Sequence, residues 1–181
     1  MSSSYKFRNP DGLYFVTFSV VRWIDVFSRR EYKDIVVDSI NYCIKAKGLK
    51  VYAWVIMSNH VHMIVNTTDQ PLQSILRDLK RHTSKAIIKA IEENTQESRR
   101  DWMLWFFERE GKGNANNETY QFWQQGNHPI ELITYEVTQQ KLDYLHGNPV
   151  KAGWVDEPEN YLYSSARDYA GGKGFVEVIL I

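Results

Sequence analysis

The chain has one cysteine, no excess of charge of either sign and no long apolar run. A single cysteine, Cys43, among 181 residues excludes an internal disulfide and favours a reducing, cytoplasmic setting. The 22 basic residues are balanced by 22 acidic ones, which argues against a wholly basic nucleic-acid binder but leaves room for a local basic patch. No apolar run approaches the length of a membrane-spanning helix, and the polar residues 1–8 lack the apolar run of a signal peptide.

Apolar and aromatic residues, in contrast, are plentiful. Hydrophobic residues make up 43% of the chain and aromatic residues 14%, so the chain can bury a sizeable core without disulfides. The length fits one domain, and we expect residues 1–181 to form it, with a flexible insertion over residues 94–119.

Hydrophobic periodicity predicts an α+β domain with an antiparallel sheet and helices packed on one face. Residues 49–57 and 60–66 read as two strands joined by a very short turn, which is the pattern of a hairpin. Gly48 provides a stop for the helix before them. The remaining predictions are a strand at 13–21, helices at 30–47, 71–93, 134–147 and 161–169, an extended segment at 122–128 and a terminal strand at 175–181, with residues 102–107 of ambiguous type.

The sequence His60-Val61-His62 is the first candidate for chemistry. Side chains alternate between the faces of a strand, so His60 and His62 point the same way, about 7 Å apart, and can share one divalent ion. Two ordinary surface histidines would give the same pattern, so the motif needs a third ligand and a reactive group before it indicates a site.

Tyr144 and Asn148 are the second candidate. They lie four residues apart, so they share a helix face if Asn148 still belongs to the last turn, although Pro149 disfavours helical backbone at Asn148. The phenol would then be the nucleophile, and Asn148 Oδ1 the third metal contact. A helical tyrosine can equally be a core residue.

Taken together, these segments resemble a known family. Residues 60–62 (HVH) are similar to the histidine–hydrophobe–histidine (HUH) motif of single-tyrosine transposases and relaxase-like nucleases. Residues 143–155 (DYLHGNPVKAGWV) resemble the tyrosine segment of REP-associated tyrosine transposases. Asn148 stands four residues after the tyrosine, where insertion-sequence members have Gln and the REP-associated branch has Asn. Further similarity lies in residues 53–60 (AWVIMSNH), 122–128 (FWQQGNH) and 163–169, so that nearly the whole chain, about 5–172, is covered.

The resemblance implies a ferredoxin-like fold with the histidines on a central strand and the tyrosine helix beside them. It implies a substrate of single-stranded DNA next to a hairpin, often a palindromic repeat, cleaved and rejoined through a covalent 5′-phosphotyrosine on Tyr144. His60, His62 and Asn148 would bind a divalent metal, Mg²⁺ or Mn²⁺. The enzyme would be cytoplasmic, associated with the nucleoid when bound to DNA, and a monomer or a homodimer.

DNA binding gives the basic face of the 71–93 helix a function, although a solvated face is the plainer interpretation. The predicted DNA contacts are Arg77, Lys80, Arg81, Lys85, Trp123 and His128, with Phe122, Trp102 and Trp105 as further stacking candidates. For each aromatic residue the alternative is core packing. Two other functions remain open at this point: a catalytically inactive hairpin DNA- or RNA-binding module of the same fold, and a metal-dependent hydrolase that uses the histidines to activate water.

Overall fold

The computed structural model describes residues 7, 9–113 and 119–181. Its strands and helices run in the order β1, α1, β2, β3, α2, α3, β4, α4, α5. The bounds are β1 Tyr14–Ser19, α1 Arg30–Lys47, β2 Leu49–Ile56, β3 His60–Thr67, α2 Leu72–Glu93, α3 Arg100–Lys112, β4 Ile130–Glu131, α4 Tyr135–Lys151 and α5 Ala166–Tyr169. No helix in this part of the chain is long and apolar enough to cross a membrane.

The four strands form one antiparallel sheet in the order β2-β3-β1-β4. The predicted hairpin is present, because β2 pairs with β3 across the turn at Ser58 and Asn59. The predicted helix before it is also confirmed, and Gly48 ends it with a left-handed φ of 73°. This fold is the predicted α+β class with an antiparallel sheet, and β3 is central in it.

The sheet separates two helical layers. Phe18 and Val61 are directly paired and lie on the face covered by α1 and α2, where Lys80 of α2 lies over the Phe18 ring. Phe15 belongs to the opposite face, and Lys141 of α4 lies over its ring. Two helices therefore pack on one face as predicted, and α4 covers part of the other face, which carries His62.

Helix α4 runs beyond its predicted end. The sequence predicts that Asn148-Pro149 stops it, yet Pro149 lies inside the helix, which continues to Lys151. The Nδ2 atom of Asn148 donates to the carbonyl oxygen of Tyr144, and Ala152 N–H donates to the carbonyl of Asn148. Local hydrogen bonds and the burial of Pro149 thus outweigh the preference of a pre-proline residue for extended backbone.

Two other segments differ from their predictions, and a third, whose type the sequence left open, is helical. The ambiguous residues 102–107 are helical within α3, whose Met103 and Phe107 are buried. Only Ala166–Tyr169 of the predicted 161–169 helix is helical, and residues 175–181 form no strand, with Ile179 donating one backbone hydrogen bond to Val51. Much of the predicted flexible insertion, 94–119, is therefore helical, while its residues 114–118 lie outside the described residues.

Candidate active site

His60 and His62 lie on one face of the central strand β3. Their ring centroids are 4.7 Å apart and their planes are inclined at 69°. Val61 and Met63 point to the opposite face and are fully buried. The alternation of the strand, together with this burial, therefore fixes both imidazoles on the same side of the sheet.

The Nδ1 atom of each imidazole has a protein partner. Asn59 Oδ1 lies 2.7 Å from His60 Nδ1, and Thr17 Oγ1 lies 2.8 Å from His62 Nδ1. Thr17 reaches His62 because β1 and β3 pair with these two residues directly opposite each other. An amide oxygen can only accept, so His60 Nδ1 carries the hydrogen and its Nε2 keeps a free lone pair.

His62 Nε2 is buried and has no hydrogen-bond partner among the described residues. A buried polar atom without a partner is costly, and it indicates a site that expects a ligand. A histidine whose Nδ1 is held by a neighbour and whose Nε2 is free is typical of a metal ligand. The pair therefore fits a divalent ion.

The electrostatics of the pair agree with this role. Burial, the neighbouring His60 and the charge of Lys141 lower the pKa of His62 to about 3. Burial also lowers the pKa of His60. Both imidazoles are therefore uncharged at neutral pH, which is the state that a metal ligand needs.

Tyr144 lies beside this pair in the same chain. Its ring centroid is 5.5 Å from that of His62 and 6.1 Å from that of Phe15. The side chain is 41% exposed, unlike a core tyrosine. Helix α4 places it there by packing against β2 and β3, with Leu142 and Leu145 buried on its inner side.

Two lysines flank the Tyr144 ring. Lys141 Nζ is 5.7 Å from the ring centroid, and Lys151 Nζ is 5.4 Å from it. Neither ammonium group forms an ion pair with a described residue, so both are available to an anion next to the phenol. The prediction from sequence missed Lys141, although its spacing of three residues before Tyr144 on a helix was a signal for a shared face.

Asn148 shares the helix face of Tyr144, as its spacing predicts. Its Nδ2 atom is tied to the carbonyl oxygen of Tyr144 at 3.0 Å. This bond leaves Oδ1 as the atom for a ligand, and the role of Asn148 as third metal contact stays a prediction. Among the described residues, no group of three or more His, Cys, Asp or Glu side chains could hold a metal by itself. Other oxygen donors would therefore have to complete the coordination.

Some of the predicted DNA contacts are held within the protein, and the others are exposed at its surface. Lys80 is half-buried, and its Nζ donates to the carbonyl oxygens of Gln124 and Gly126 and to Asn127 Oδ1. Burial lowers the pKa of Lys80 to about 8, and the residue ties α2 to the 124–127 segment rather than reaching freely into solvent.

Trp123 is a correction to the predicted stacking surface. It is 6% exposed, its Nε1 donates to Thr83 Oγ1, and its ring stacks on Phe27 at 5.7 Å. The neighbouring Phe122 is 1% exposed. Both aromatic residues are therefore part of the core, because Trp123 packs against α2 at Thr83 and the Phe122 ring packs against Phe107 of α3.

The other basic residues do remain at the surface. Arg77, Arg81 and Lys85 are exposed along α2 and line a groove of about 770 Å³ whose other wall is the 119–126 segment. Arg77 also pairs with Asp78 at 3.2 Å. His128 is exposed near the end of that groove wall, with a left-handed φ of 42°. The groove lies on the α2 side of the sheet, opposite the histidine pair.

Comparison with known proteins identifies the fold and the family of this chain. None of the curated proteins matches the sequence significantly. A solved structure, described as a REP-associated tyrosine transposase bound to a REP hairpin, superposes with a TM-score of 0.67 over 99% of this chain and 92% of the other, at 19% identity. The two proteins therefore share their fold over nearly the whole of this chain, including the helix that carries Tyr144.

The family assignment rests on sequence. The model of the IS200-like transposase family matches residues 14–128, which include both histidines and end before Tyr144. These residues make up more than half of the chain. The resemblance noted in the sequence is thereby confirmed at the level of the family, and the chain belongs to the IS200-like transposases.

Proposed function

We propose that this protein is a single-stranded DNA endonuclease and strand transferase that cuts next to hairpins and forms a covalent 5′-phosphotyrosine on Tyr144. The observation that carries the proposal is the exposed ring of Tyr144, whose centroid lies 5.5 Å from that of an imidazole with a buried Nε2 that has no hydrogen-bond partner among the described residues. A binding module of this fold would need neither the exposed tyrosine nor the free nitrogen.

His60 and His62 would hold a divalent ion through their Nε2 atoms, with Asn148 Oδ1 as third protein ligand. When bound, the ion supplies Lewis-acid polarisation of the phosphate. Two nitrogen ligands favour Mn²⁺ at least as much as Mg²⁺. The low pKa of His62 means that an ion need not compete with a proton at neutral pH.

The phenol oxygen of Tyr144 attacks the phosphorus, and the bond from phosphorus to the 3′-oxygen breaks. The phenol proton leaves to solvent, and the departing 3′-oxygen takes up a proton. Lys141 and Lys151 bind the non-bridging oxygens as the phosphate approaches, since their charges flank the attacking ring. Attack by a 3′-hydroxyl on the phosphotyrosine reverses these bond changes and joins the strand, so the bond energy is kept.

Two observations support hairpin DNA as the proposed substrate. The structure that this chain resembles is bound to a REP hairpin, and we expect hairpin DNA to be the partner here as well. The exposed Arg77, Arg81 and Lys85 give a place for its phosphates. Such a protein would work at the nucleoid in the cytoplasm. Because Tyr144 and both histidines come from one chain, a monomer contains every residue of the proposed site.

The test is a denaturing gel with labelled single-stranded hairpin DNA from the flanks of the gene, with Mn²⁺ or with EDTA. We expect a band that resists SDS, requires Mn²⁺ and disappears in Tyr144→Phe, while binding to the hairpin persists. Tyr135→Phe is the matched control, because Tyr135 is an exposed tyrosine of the same helix and should leave the band unchanged.

The alternatives give different results in the same gel. Hairpin binding by the wild type without any adduct, at every metal tested, would support the binding module. Cleavage that survives in Tyr144→Phe and leaves a free 5′-phosphate would support hydrolysis by activated water.

A further inference from the structure

Trp23 is an exposed tryptophan at the rim of the candidate site. Its exposure is 57%, whereas Trp54 and Trp123 are buried in the core. Its ring meets that of His60 edge to face, with the centroids 6.1 Å apart. A large aromatic surface is thus left in solvent directly beside one of the two histidines.

The backbone that carries Trp23 adopts a costly conformation. Arg22 and Trp23 both have a φ of +55°, and neither is glycine. The left-handed region is unfavourable for such residues, and strain of this kind concentrates at functional sites. A loop under no constraint would place glycine or asparagine here.

Specific contacts hold this strained turn in place. Asn59 Nδ2 donates to the carbonyl oxygen of Trp23 at 3.1 Å, and Trp23 N–H donates to the carbonyl of Val20. Arg22 pairs with Glu110 of α3 at 2.9 Å. Asn59 also accepts from His60 Nδ1, so one side chain fixes both the imidazole and the tryptophan backbone.

We propose that Trp23 is the stacking platform for the nucleobase on the leaving side of the cut, immediately 5′ of the phosphate that Tyr144 attacks. This rests on the proposed function. Attack and departure take place on opposite sides of the phosphorus. Tyr144 lies at the His62 end of the histidine pair and Trp23 at the His60 end. The nucleotide that keeps the free 3′-hydroxyl therefore lies towards Trp23.

The chemistry of the platform matches an unpaired base. A base beside a cut in single-stranded DNA has an open π-face, and stacking on an aromatic side chain is tolerant of sequence. The indole offers the largest such surface among side chains, and the neighbouring Arg22 is 61% exposed. Trp23 would therefore position the strand without reading its sequence.

The test compares Trp23→Ala, Trp23→Phe and Trp23→Gly with the wild type, on a labelled hairpin oligonucleotide from the gene's flanks and on the same strand made abasic immediately 5′ of the cut. Affinity is measured by fluorescence anisotropy in EDTA, and adduct formation is measured in Mn²⁺. We expect Trp23→Ala to lose about 5- to 100-fold in affinity on the intact strand. Trp23→Phe should retain most of it.

The abasic strand should remove the difference between Trp23→Ala and the wild type. Trp154→Ala is the matched control, since Trp154 is 43% exposed and lies just after the end of α4; it should bind like the wild type. Trp23→Gly relieves the left-handed strain, so its midpoint of thermal unfolding should not fall below that of the wild type although its binding is lost.

Equal binding by wild type and Trp23→Ala, or an equal loss on intact and abasic strands, would overturn the assignment. The binding arm needs no metal and no cleavage. Absence of adducts from the wild type would therefore count against the proposed function, while the affinities would still decide the role of Trp23.

Discussion

Removing the hydroxyl of Thr17 should weaken both the fold and the metal site. Thr17 Oγ1 is 2.8 Å from His62 Nδ1, and His62 is 6% exposed. Valine keeps the β-branched shape that suits strand β1 but leaves the buried Nδ1 without a partner. That loss costs about 1–3 kcal/mol of unfolding free energy. For a domain of this size the midpoint of thermal unfolding should fall by about 2–12 °C.

The effect on metal binding should be comparable in free energy to the effect on stability. Without Thr17 the imidazole of His62 can rotate or change its tautomer, and losing such a supporting group typically weakens metal binding by about 10- to 100-fold. Thermal unfolding in EDTA isolates the first effect, and calorimetric titration with Mn²⁺ measures the second. Thr17→Ser keeps the hydroxyl and should restore most of the affinity. Thr68→Val is the control, because Thr68 is exposed just after β3.

The reasoning would be refuted if Thr17→Val bound Mn²⁺ as tightly as the wild type. It would also fail if Thr17→Ser were no better than Thr17→Val, since the hydroxyl would then be irrelevant. A wild-type protein that binds no Mn²⁺ at all would remove the metal from the proposed mechanism.

Two further predictions concern charge. Burial lowers the pKa of His146 from 6.5 to about 4, so the unfolded chain takes up a proton below pH 6.5 that the folded protein refuses until about pH 4. The contribution of His146 to stability is therefore present above pH 6.5 and lost as the pH falls, by about 2 kcal/mol between pH 7 and pH 5. Urea denaturation should show that the free energy of unfolding of His146→Gln falls less steeply over this range than that of the wild type. An equally steep fall in the variant would contradict this. Lys141→Met should reduce the rate of adduct formation by about tenfold or more. It should also lower the salt dependence of DNA binding by about 0.7 in log–log slope. Lys45→Met, a change of an exposed lysine on α1, should do neither.

The features that the sequence predicted well are governed by local pattern. The period of 3.6 and a terminal glycine were enough to place α1 at its observed bounds. The period of two in β3 was enough to put His60 and His62 on one face, because this depends only on alternation within one strand. The spacing of four residues placed Tyr144 and Asn148 on one face of α4, because this depends only on the period of a single helix.

The features that were missed depend on contacts between distant segments. Thr17 meets His62 only through the register of β1 against β3, which no local pattern specifies. The burial of Trp123 and the hydrogen bonds of Lys80 to the 124–127 segment depend on how α2 packs against residues 119–127. Trp23 is a third case, because its left-handed backbone is held by Asn59, 36 positions away, and lacks the glycine that usually marks such a turn.

The most direct measurement of the central claim is mass spectrometry of the adduct formed with Mn²⁺ and hairpin DNA. After digestion of the DNA, trypsin cleaves after Lys141 and Lys151 and releases residues 142–151 (LDYLHGNPVK), which contain one tyrosine and no serine, threonine or cysteine. We predict that this peptide carries the nucleotide on Tyr144, joined through a 5′-phosphate. A nucleotide on any other residue, or a cleaved strand with no modified peptide, would contradict the account.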